Sequence, residues 1–589
     1  MRFGSTTASS FTVTSPTTIT AVTNGHVAGT VPVQVTTPRG TNDSAHKFTF
    51  LTPPAVTSIT PASGPVAGGT AVTIFGTGFT EASAVTFGQT SATTVSVDQS
   101  GTRITATSPA GNAGTVDVRV TVGAVTSPSV AADHFIYVTS GSGTVPVTVT
   151  VAGGQPKATT INQNLIGFNH PPSGSGPALS AIGTKWARTD VSFETSVNGQ
   201  PVYNCTTGAW NPQVLDANVA IDRQAGVTPE VIVDYTPPCL ATNPPAGVNP
   251  NYTPPDLGPN MAKWQALVYQ MALHEIGAEG VRVFEVWNEP NGVFWVASNK
   301  MSAYLTLYQA TATSLEAAAN ALGVQILVGG PALAGVPTLP YLGWIDQLCS
   351  FAVANNLPLD FISWHEYSTD APFDGAVAAI RTTVAKFPTL HPLLWIDEWN
   401  VSANGYPPMS GSEGAAFVAA ELDSAQAAGL DRATFYEAAD DSPVDNFGVL
   451  TQSLTPKFDY QVFGMWHSMA GNELGTAIST NPTGTDLQDA IGAVASTNGG
   501  AVDVLVYNFD PTGPAGSAGQ SVPASFSRSV ALSVTGLPSG QHYRVTRTVV
   551  DPDDNPSSPQ PLGPLVAGGV VQFAQTGQSV SLLTLTPTG

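Results

Sequence analysis

Between Val145 and Ser468, short apolar runs alternate with longer amphipathic segments, and this alternation constrains the fold more than any other feature of the chain. Runs of β-branched and aromatic residues read as buried strands, whereas apolar residues spaced three and four apart read as helices. Candidate strand ends are Gly167-Phe168-Asn169, Trp186-Ala187-Arg188, Ile232-Val233-Asp234 and Trp287-Asn288-Glu289. Four more follow at Leu327-Val328-Gly329, Ile362-Ser363-Trp364-His365, Ile396-Asp397-Glu398 and Thr434-Phe435-Tyr436. Helical patterns such as Ala303 to Leu322 and Gly414 to Ala428, the latter stopped by Gly429, lie between them. Eight strand–helix alternations fit a (β/α)8 TIM barrel, which typically needs roughly 250 residues. An open doubly wound sheet is the alternative, and no G-x-G-x-x-G turn supports it.

Two of these strands end on a glutamate. Val281 to Pro290 reads Val-Arg-Val-Phe-Glu-Val-Trp-Asn-Glu-Pro, and Pro392 to Asn400 reads Pro-Leu-Leu-Trp-Ile-Asp-Glu-Trp-Asn. Proline cannot donate to a sheet ladder, so the first strand breaks at Asn288-Glu289-Pro290. Barrel enzymes place their reactive groups at the C-terminal ends of strands. Glu289 and Glu398, ending strands four and seven, are the pair that glycosidic bond cleavage requires. One acid protonates the departing oxygen, and the other attacks the anomeric carbon or activates water. A lone Asn-Glu-Pro is as readily an ordinary loop carboxylate; a matched pair in barrel order is not.

The flanks are β-rich. Val85-Thr86-Phe87-Gly88 repeats Met1-Arg2-Phe3-Gly4, Ile104-Thr105-Ala106 repeats Ile19-Thr20-Ala21, and Phe135-Ile136-Tyr137 repeats Phe48-Thr49-Phe50. The second copy opens with Gly64-Pro65, Gly68-Gly69 and Gly76-Thr77-Gly78-Phe79. These elements in order resemble the immunoglobulin-like IPT/TIG domain across 53–138, with the C-terminal part of another across 1–52. On that reading the chain begins inside a repeat, Met1 is a truncation or internal start, and any signal peptide lies upstream. A flexible linker is expected at 139–144, the barrel at 145–468, and a β-sandwich accessory domain at 469–589, with Val145 to Val151 a candidate extra strand of that sandwich. Asp551-Pro552-Asp553-Asp554-Asn555 reads as an acidic turn rather than a calcium loop.

From about residue 145 onward the chain resembles a clan A retaining glycoside hydrolase, most like glycoside hydrolase family 39, the family of β-xylosidases and α-L-iduronidases. Phe284 to Asn291 carries that family's acid/base segment and Ile396 to Asn400 its nucleophile segment. Gly329-Gly330-Pro331 and the tail Phe447-Gly448-Val449-Leu450 … Pro456-Lys457 also match. The resemblance implies that Glu289 is the acid/base, that Glu398 is the nucleophile, and that no cofactor or metal is needed. Asn288 would bond a sugar hydroxyl and Arg188 the nucleophile; His365 and Tyr367 would lie near both. His170, Asp234 and Tyr235 are candidate pocket residues. Trp295 and Trp399 are candidate stacking rings, Trp399 being equally a candidate for core. Two departures bear on the sugar. Asp190 stands where the xylosidases have histidine, and strand eight continues Tyr436-Glu437-Ala438-Ala439-Asp440-Asp441, without the family's tryptophan and with shorter carboxylates. An Asp-Glu-Trp-Asn-Val run is similar to family 51 arabinofuranosidases.

A net charge of −22 argues against nucleic acid and anionic membranes as partners, and leaves an oligo- or polysaccharide substrate. No apolar run is long enough for membrane insertion. The expected location is secreted or cell-surface, where Cys205 and Cys239, both in loops after early strands, are candidates for a disulfide. The rival of a different class is a catalytically silent carbohydrate-binding or adhesion protein.

Overall fold

The structure is a computed structural model. It describes residues 1–589 except 43–44, 51, 61–62, 66–67, 81, 99, 112–113, 124, 131–132, 139–144, 192, 194–195, 198–199, 242–248, 256–258, 336–340, 368–372, 402–410, 443–446, 481–490, 510–527, 552–557 and 589. The expected linker, and all but Asp551 of the acidic turn, fall outside the described residues. The chain forms two compact units, Met1–Gly143 and the remainder from Thr144.

In the first unit the two copies differ in completeness. The second has two sheets, one holding Ala82–Phe87, Gly114–Val122 and His134–Val138 and the other Ala55–Thr60, Ala71–Thr77, Thr94–Val97 and Arg103–Thr107. They enclose Val72, Ile74, Phe79, Val85, Ile104, Val118 and Phe135. The first copy repeats the strand corner. Gly4 and Gly88 both have φ 60°, and both give their N–H to a backbone oxygen 2.8 Å away, on Pro32 and Asp117 respectively. A Cβ on either would press on the matching valine, Val31 at 3.2 Å or Val116 at 3.3 Å. Among its described residues the first copy has no counterpart of Ala55–Thr60 or Ala71–Thr77, and Phe11 and Val13 stay 53% and 61% exposed.

The second unit holds a closed parallel barrel of eight strands. They are β1 (Gly167–Asn169), β2 (Trp186–Asp190), β3 (Thr228–Val233), β4 (Val283–Val286), β5 (Leu327–Leu333), β6 (Phe361–Tyr367), β7 (Leu393–Asn400) and β8 (Arg432–Phe435). Phe168 pairs with Phe435 to close the ring. Among the described residues eight α-helices interleave: α1 (Gly176–Ala181), α2 (Gln213–Gln224), α3 (Pro259–His274), α4 (Lys300–Leu322), α5 (Leu342–Asn355), α6 (Phe373–Val384), α7 (Ser412–Ala428) and α8 (Phe458–Ser468). All four residues of β4 are buried because one face fills the bore and the other meets helices. Gly429 ends α7 in the left-handed conformation. Gly329 on β5 is required for a different reason: a Cβ there would lie 2.4 Å from the Phe361 carbonyl oxygen.

Among the described residues, eight strands after α8 join one from before the barrel in a sheet of nine, and all nine contribute to one core, so the sheet curls around it. Its seventh strand along the sheet is Val145–Thr160, paired with Asn472–Thr480 and Arg528–Thr535. The extra strand expected at Val145 to Val151 is thus present and runs on to Thr160. Period-two burial of Val147, Val149 and Val151 places this segment in the sandwich core, ahead of the barrel. Cys205 and Cys239 are joined by a disulfide, and Cys349 is a buried free thiol.

Candidate active site

The barrel mouth is organised by Arg188, 1% exposed at the side chain. Its Nη1 donates to Glu398 Oε1 at 2.8 Å, its Nε to Glu285 Oε2 at 2.8 Å, and its Nη2 to Asn288 Oδ1 at 3.0 Å. Asp397 Oδ2 lies 3.7 Å from Nε. Three carboxyl groups thus surround one guanidinium in a dry bore, and they cannot all be ionised cheaply. Burial, and then the Glu285 charge, push Asp397 well above the usual carboxylate range. Burial alone would raise Glu285 too, but Arg188 and the bonds from Asp397 and Ser363 outweigh it and hold Glu285 low. Burial and the neighbouring charge thus favour the neutral form of Asp397 beside an ionised Glu285.

Glu289 and Glu398 converge on one imidazole nitrogen. His365 Nδ1 is 2.8 Å from Glu289 Oε1 and 3.2 Å from Glu398 Oε2, and the three groups present atoms within 4.8 Å of one another. Tyr367 donates its hydroxyl to Glu398 Oε2 at 2.7 Å. Burial, and then Glu398, raise that phenol well above its usual value, so it remains a donor. Trp287 and Glu289 have φ of 70° and 46°, a left-handed turn without glycine at the end of β4. Each such residue costs on the order of 1–3 kcal/mol, and such conformations cluster at functional sites. The Glu289 N–H is anchored on Ala332 O at 3.0 Å.

The remaining expected residues separate into rim and core. His170 Nε2 meets Asp190 Oδ2 at 2.8 Å, with Glu437 Oε2 4.0 Å from Nδ1. Against burial, Asp190 draws the His170 imidazole up to about 9 and is itself held low. Tyr436 sets its ring edge-on to His170 and to Tyr367. Tyr235 accepts from Asn288 Nδ2 at 3.1 Å, and Asp234 beside it is fully buried. Asp441 is exposed.

Two expectations are corrected, for Trp295 and Asp440, and the alternative left open for Trp399 resolves to core. Trp295 is 0% exposed, edge-on to Trp287 with its Nε1 bonded to Lys300 O, so it offers no face to a sugar. Trp399 is likewise 0% exposed, among Phe373, Phe417, Phe435 and Phe463. Asp440 is committed to Lys457 Nζ at 2.6 Å and to the Gly448 N–H at 2.9 Å, tying strand eight to the tail after it. Sequence reasoning also missed Glu285, Asp397 and the partly exposed rings of Tyr252 and Phe294, which pack with Tyr235. A carboxylate inside an otherwise apolar strand was the available signal for Glu285.

Comparison with known proteins is consistent with this geometry. A β-xylosidase from Geobacillus stearothermophilus is 32% identical over 189 residues, 30% of this chain and 34% of that protein. The chain thus spans about a third of the length of the curated relatives it matches. Two crystal structures share the fold. A glucosidase from Croceicoccus marinus has TM-score 0.58 at 18% identity, covering 76% of this chain and 100% of that one. The GH39 enzyme from Xanthomonas axonopodis pv. citri has TM-score 0.57 at 20% identity, covering 75% and 98%. Residues 54–137 match the IPT/TIG domain. Residues 179–560, well over half of the chain, match glycosyl hydrolases family 39, so this protein belongs to that family.

Proposed function

We propose that the protein is a retaining glycoside hydrolase working by double displacement, with Glu398 as nucleophile and Glu289 as acid/base, and that β-xylosides are its leading substrates. The observation that carries this reading is the convergence of both carboxyl groups on His365 Nδ1 with reactive atoms within 4.8 Å. Retaining enzymes hold the pair about 5–5.5 Å apart, whereas inverting enzymes need about 6.5–9.5 Å to seat a water.

In the first step a Glu398 oxygen bonds to the anomeric carbon while Glu289 gives its proton to the departing oxygen. In the second, water attacks that carbon, Glu289 takes the water's proton, and Glu398 leaves as carboxylate. Arg188 and Tyr367 hold opposite oxygens of Glu398, which fixes the nucleophile's orientation. His365 touches both acids, so loss of charge on Glu398 is felt directly at Glu289.

The rim supports a neutral sugar. Among the described residues the nearby cations are already committed, Arg188 in the bore to Glu285 and Glu398 and His170 at the rim to Asp190, while Asp190 and Glu437 add negative charge. Among the described residues, a uronic acid would meet carboxylates whose cations are already paired. Asp190 stands in place of the xylosidase histidine, and the Asp397-Glu398-Trp399-Asn400-Val401 run, similar to family 51 arabinofuranosidases, favours a second reading as an arabinosidase.

Release of nitrophenol from aryl β-xyloside, α-L-arabinofuranoside, α-L-arabinopyranoside, β-glucoside and β-galactoside tests this. Turnover of one glycoside should fall roughly 10⁴- to 10⁶-fold in Glu398→Ala. Glu289→Ala should cost about 10²- to 10⁴-fold. Product of inverted configuration, or activity unchanged in Glu398→Ala, overturns the mechanism. Silence on these glycosides and on polysaccharides selects the binding-protein reading instead.

A further inference from the structure

The two oxygens of Glu289 meet different surroundings. Oε1 lies 2.8 Å from His365 Nδ1, which leaves Oε2 as the oxygen available to carry a proton outward. Beside Oε2 stands Gly292, in the loop that follows β4. A Cβ on Gly292 would lie 3.2 Å from Glu289 Oε2, 3.4 Å from Glu289 Cβ and 3.2 Å from Ala334 Cβ. The backbone here does not demand glycine, because φ of Gly292 is outside the left-handed range. What the missing side chain provides is space at the acid.

That space has fixed walls. The Asn291 side chain accepts the Ala334 N–H at 2.8 Å and donates to Ala334 O at 3.0 Å, clamping the loop after β4 to the loop after β5. The Gly292 N–H bonds Glu289 O at 2.9 Å, and the Gly292 carbonyl accepts from Lys300 Nζ at the start of α4. Ala334 cannot retreat from a new side chain without loosening the clamp, so the Glu289 carboxyl is the end that would give. Gly292 and Ala334 are both partly exposed and Val293 is 74% exposed, so the notch between the two loops opens to solvent.

Building on Glu289 as acid/base, a reading on which this step rests, we propose that Gly292 sets which leaving groups the enzyme accepts. Its bare backbone leaves room at Glu289 Oε2 for the secondary alcohol of a second sugar ring. In the first step the proton on Oε2 passes to the departing oxygen while that oxygen's bond to the anomeric carbon breaks and the Glu398 bond forms. Transfer needs the two oxygens within about 2.6–3.2 Å, and the ring carbon bearing the departing oxygen carries two further carbons into the same space. Methanol carries one carbon there, and the water of the second step carries none. A dinitrophenolate departs without protonation and needs no access to Oε2. A methyl group on Gly292 therefore obstructs proton transfer to a sugar alcohol far more than transfer from water. Read backwards, the first step is capture of a sugar acceptor by the glycosyl-enzyme, so the same notch sets transfer to sugars against hydrolysis.

The test uses the full chain with xylobiose, methyl β-xyloside and 2,4-dinitrophenyl β-xyloside, or the corresponding three of whichever sugar the aryl glycosides select. Gly292→Ala should lower kcat/KM on the disaccharide roughly 10-fold or more and lower it less on the methyl glycoside. On the dinitrophenyl glycoside both kcat/KM and kcat should stay within about twofold. Glu289→Ala should differ by losing kcat on the dinitrophenyl glycoside as well, since the water of the second step then lacks its base. Ala334→Gly removes one of the two contacts and should recover part of the disaccharide loss when combined with Gly292→Ala. Alone it widens the notch and should raise the ratio of transfer to hydrolysis with xylose added as acceptor, which keeps the test decisive if Gly292→Ala folds poorly. Equal losses on all three glycosides, unchanged disaccharide hydrolysis in Gly292→Ala, or an unchanged transfer ratio in Ala334→Gly overturns the proposal. A loss in Glu289→Ala that ignores the leaving group overturns the acid/base reading instead, and absence of turnover in wild type removes both.

Discussion

At the N-terminal end of the barrel bore, Phe361 lies flat on Trp395 with ring centroids 3.6 Å apart, beside Val283, Leu327 and Leu393. The Arg432 guanidinium sits 3.2 Å and 3.9 Å from the ring centroids of Trp186 and Trp395. A few residues further along the same strands, the bore holds Arg188, Glu285, Asp397 and Glu398 instead. The floor is stabilised by area removed from water, which tolerates small changes of shape. The mouth is held by charges that are costly unless paired, so each group's protonation depends on its neighbours. One barrel thus separates a scaffold from a reactive layer within a few residues of chain.

The largest way to break that contrast is to remove the mouth's cation. Arg188→Met leaves Glu285 and Glu398 buried without their partner and should cost about 3–5 kcal/mol, besides most of the activity. Urea unfolding read beside turnover checks it. Near-native stability in this variant would mean that the mouth is not the strained layer.

A smaller effect comes from Glu230, which pairs in register with Arg188 and feels Glu285 from the mouth and Arg432 from the floor. Burial, then Glu285, push its carboxyl up to about 8; burial alone lifts Asp222 to about 7. Both folded-state values lie above the unfolded ones. Their contribution to stability is therefore complete below about pH 4 and is lost as pH rises through 7 to 8. While one such group is protonated only in the folded state, stability should fall by about 1.4 kcal/mol per pH unit. Urea midpoints from pH 5 to 9 should decline in wild type and flatten in Glu230→Gln. A rising profile there would place ionised carboxylates, not protonated ones, in this layer.

The same contrast explains what could be read from the sequence. All eight strands were legible, because each is an apolar run stopped by polar residues or chain breakers. The convergence of Glu289 with Glu398 was legible for the same reason, since barrel order alone brings the ends of strands four and seven to one mouth. Glu285 and Asp397 were not, because a carboxylate inside a strand acquires meaning only from Arg188, which lies 97 residues before Glu285 in the chain. Phe294 and Trp295 show the limit at its shortest range. Adjacent aromatic residues at a strand end are equivalent in sequence, and only packing against Trp287 decides which one is buried. Asp440 looked like a rim acid until the tail beyond it supplied Lys457. The strand at Val145–Thr160 was legible as a member of the distant sandwich from its period-two pattern, although its partners lie more than 300 residues further on.

The smallest test sharpens the floor. Phe361→Leu keeps most of the volume and removes the flat stack on Trp395, for a cost of about 1–2 kcal/mol. Phe361 pairs with Leu393 at the start of β7, whereas His365 and Glu398 pair near the other end of the same two strands. If floor and mouth are energetically separate, the unfolding midpoint drops while kcat and its pH profile hold, as for distant sites whose effects add. The double variant with Glu230→Gln distinguishes the alternatives further. Additive losses would confine Glu230 to the mouth's electrostatics, whereas a coupling of about 0.5 kcal/mol or more would show that strain in the aromatic floor reaches the charged layer through it.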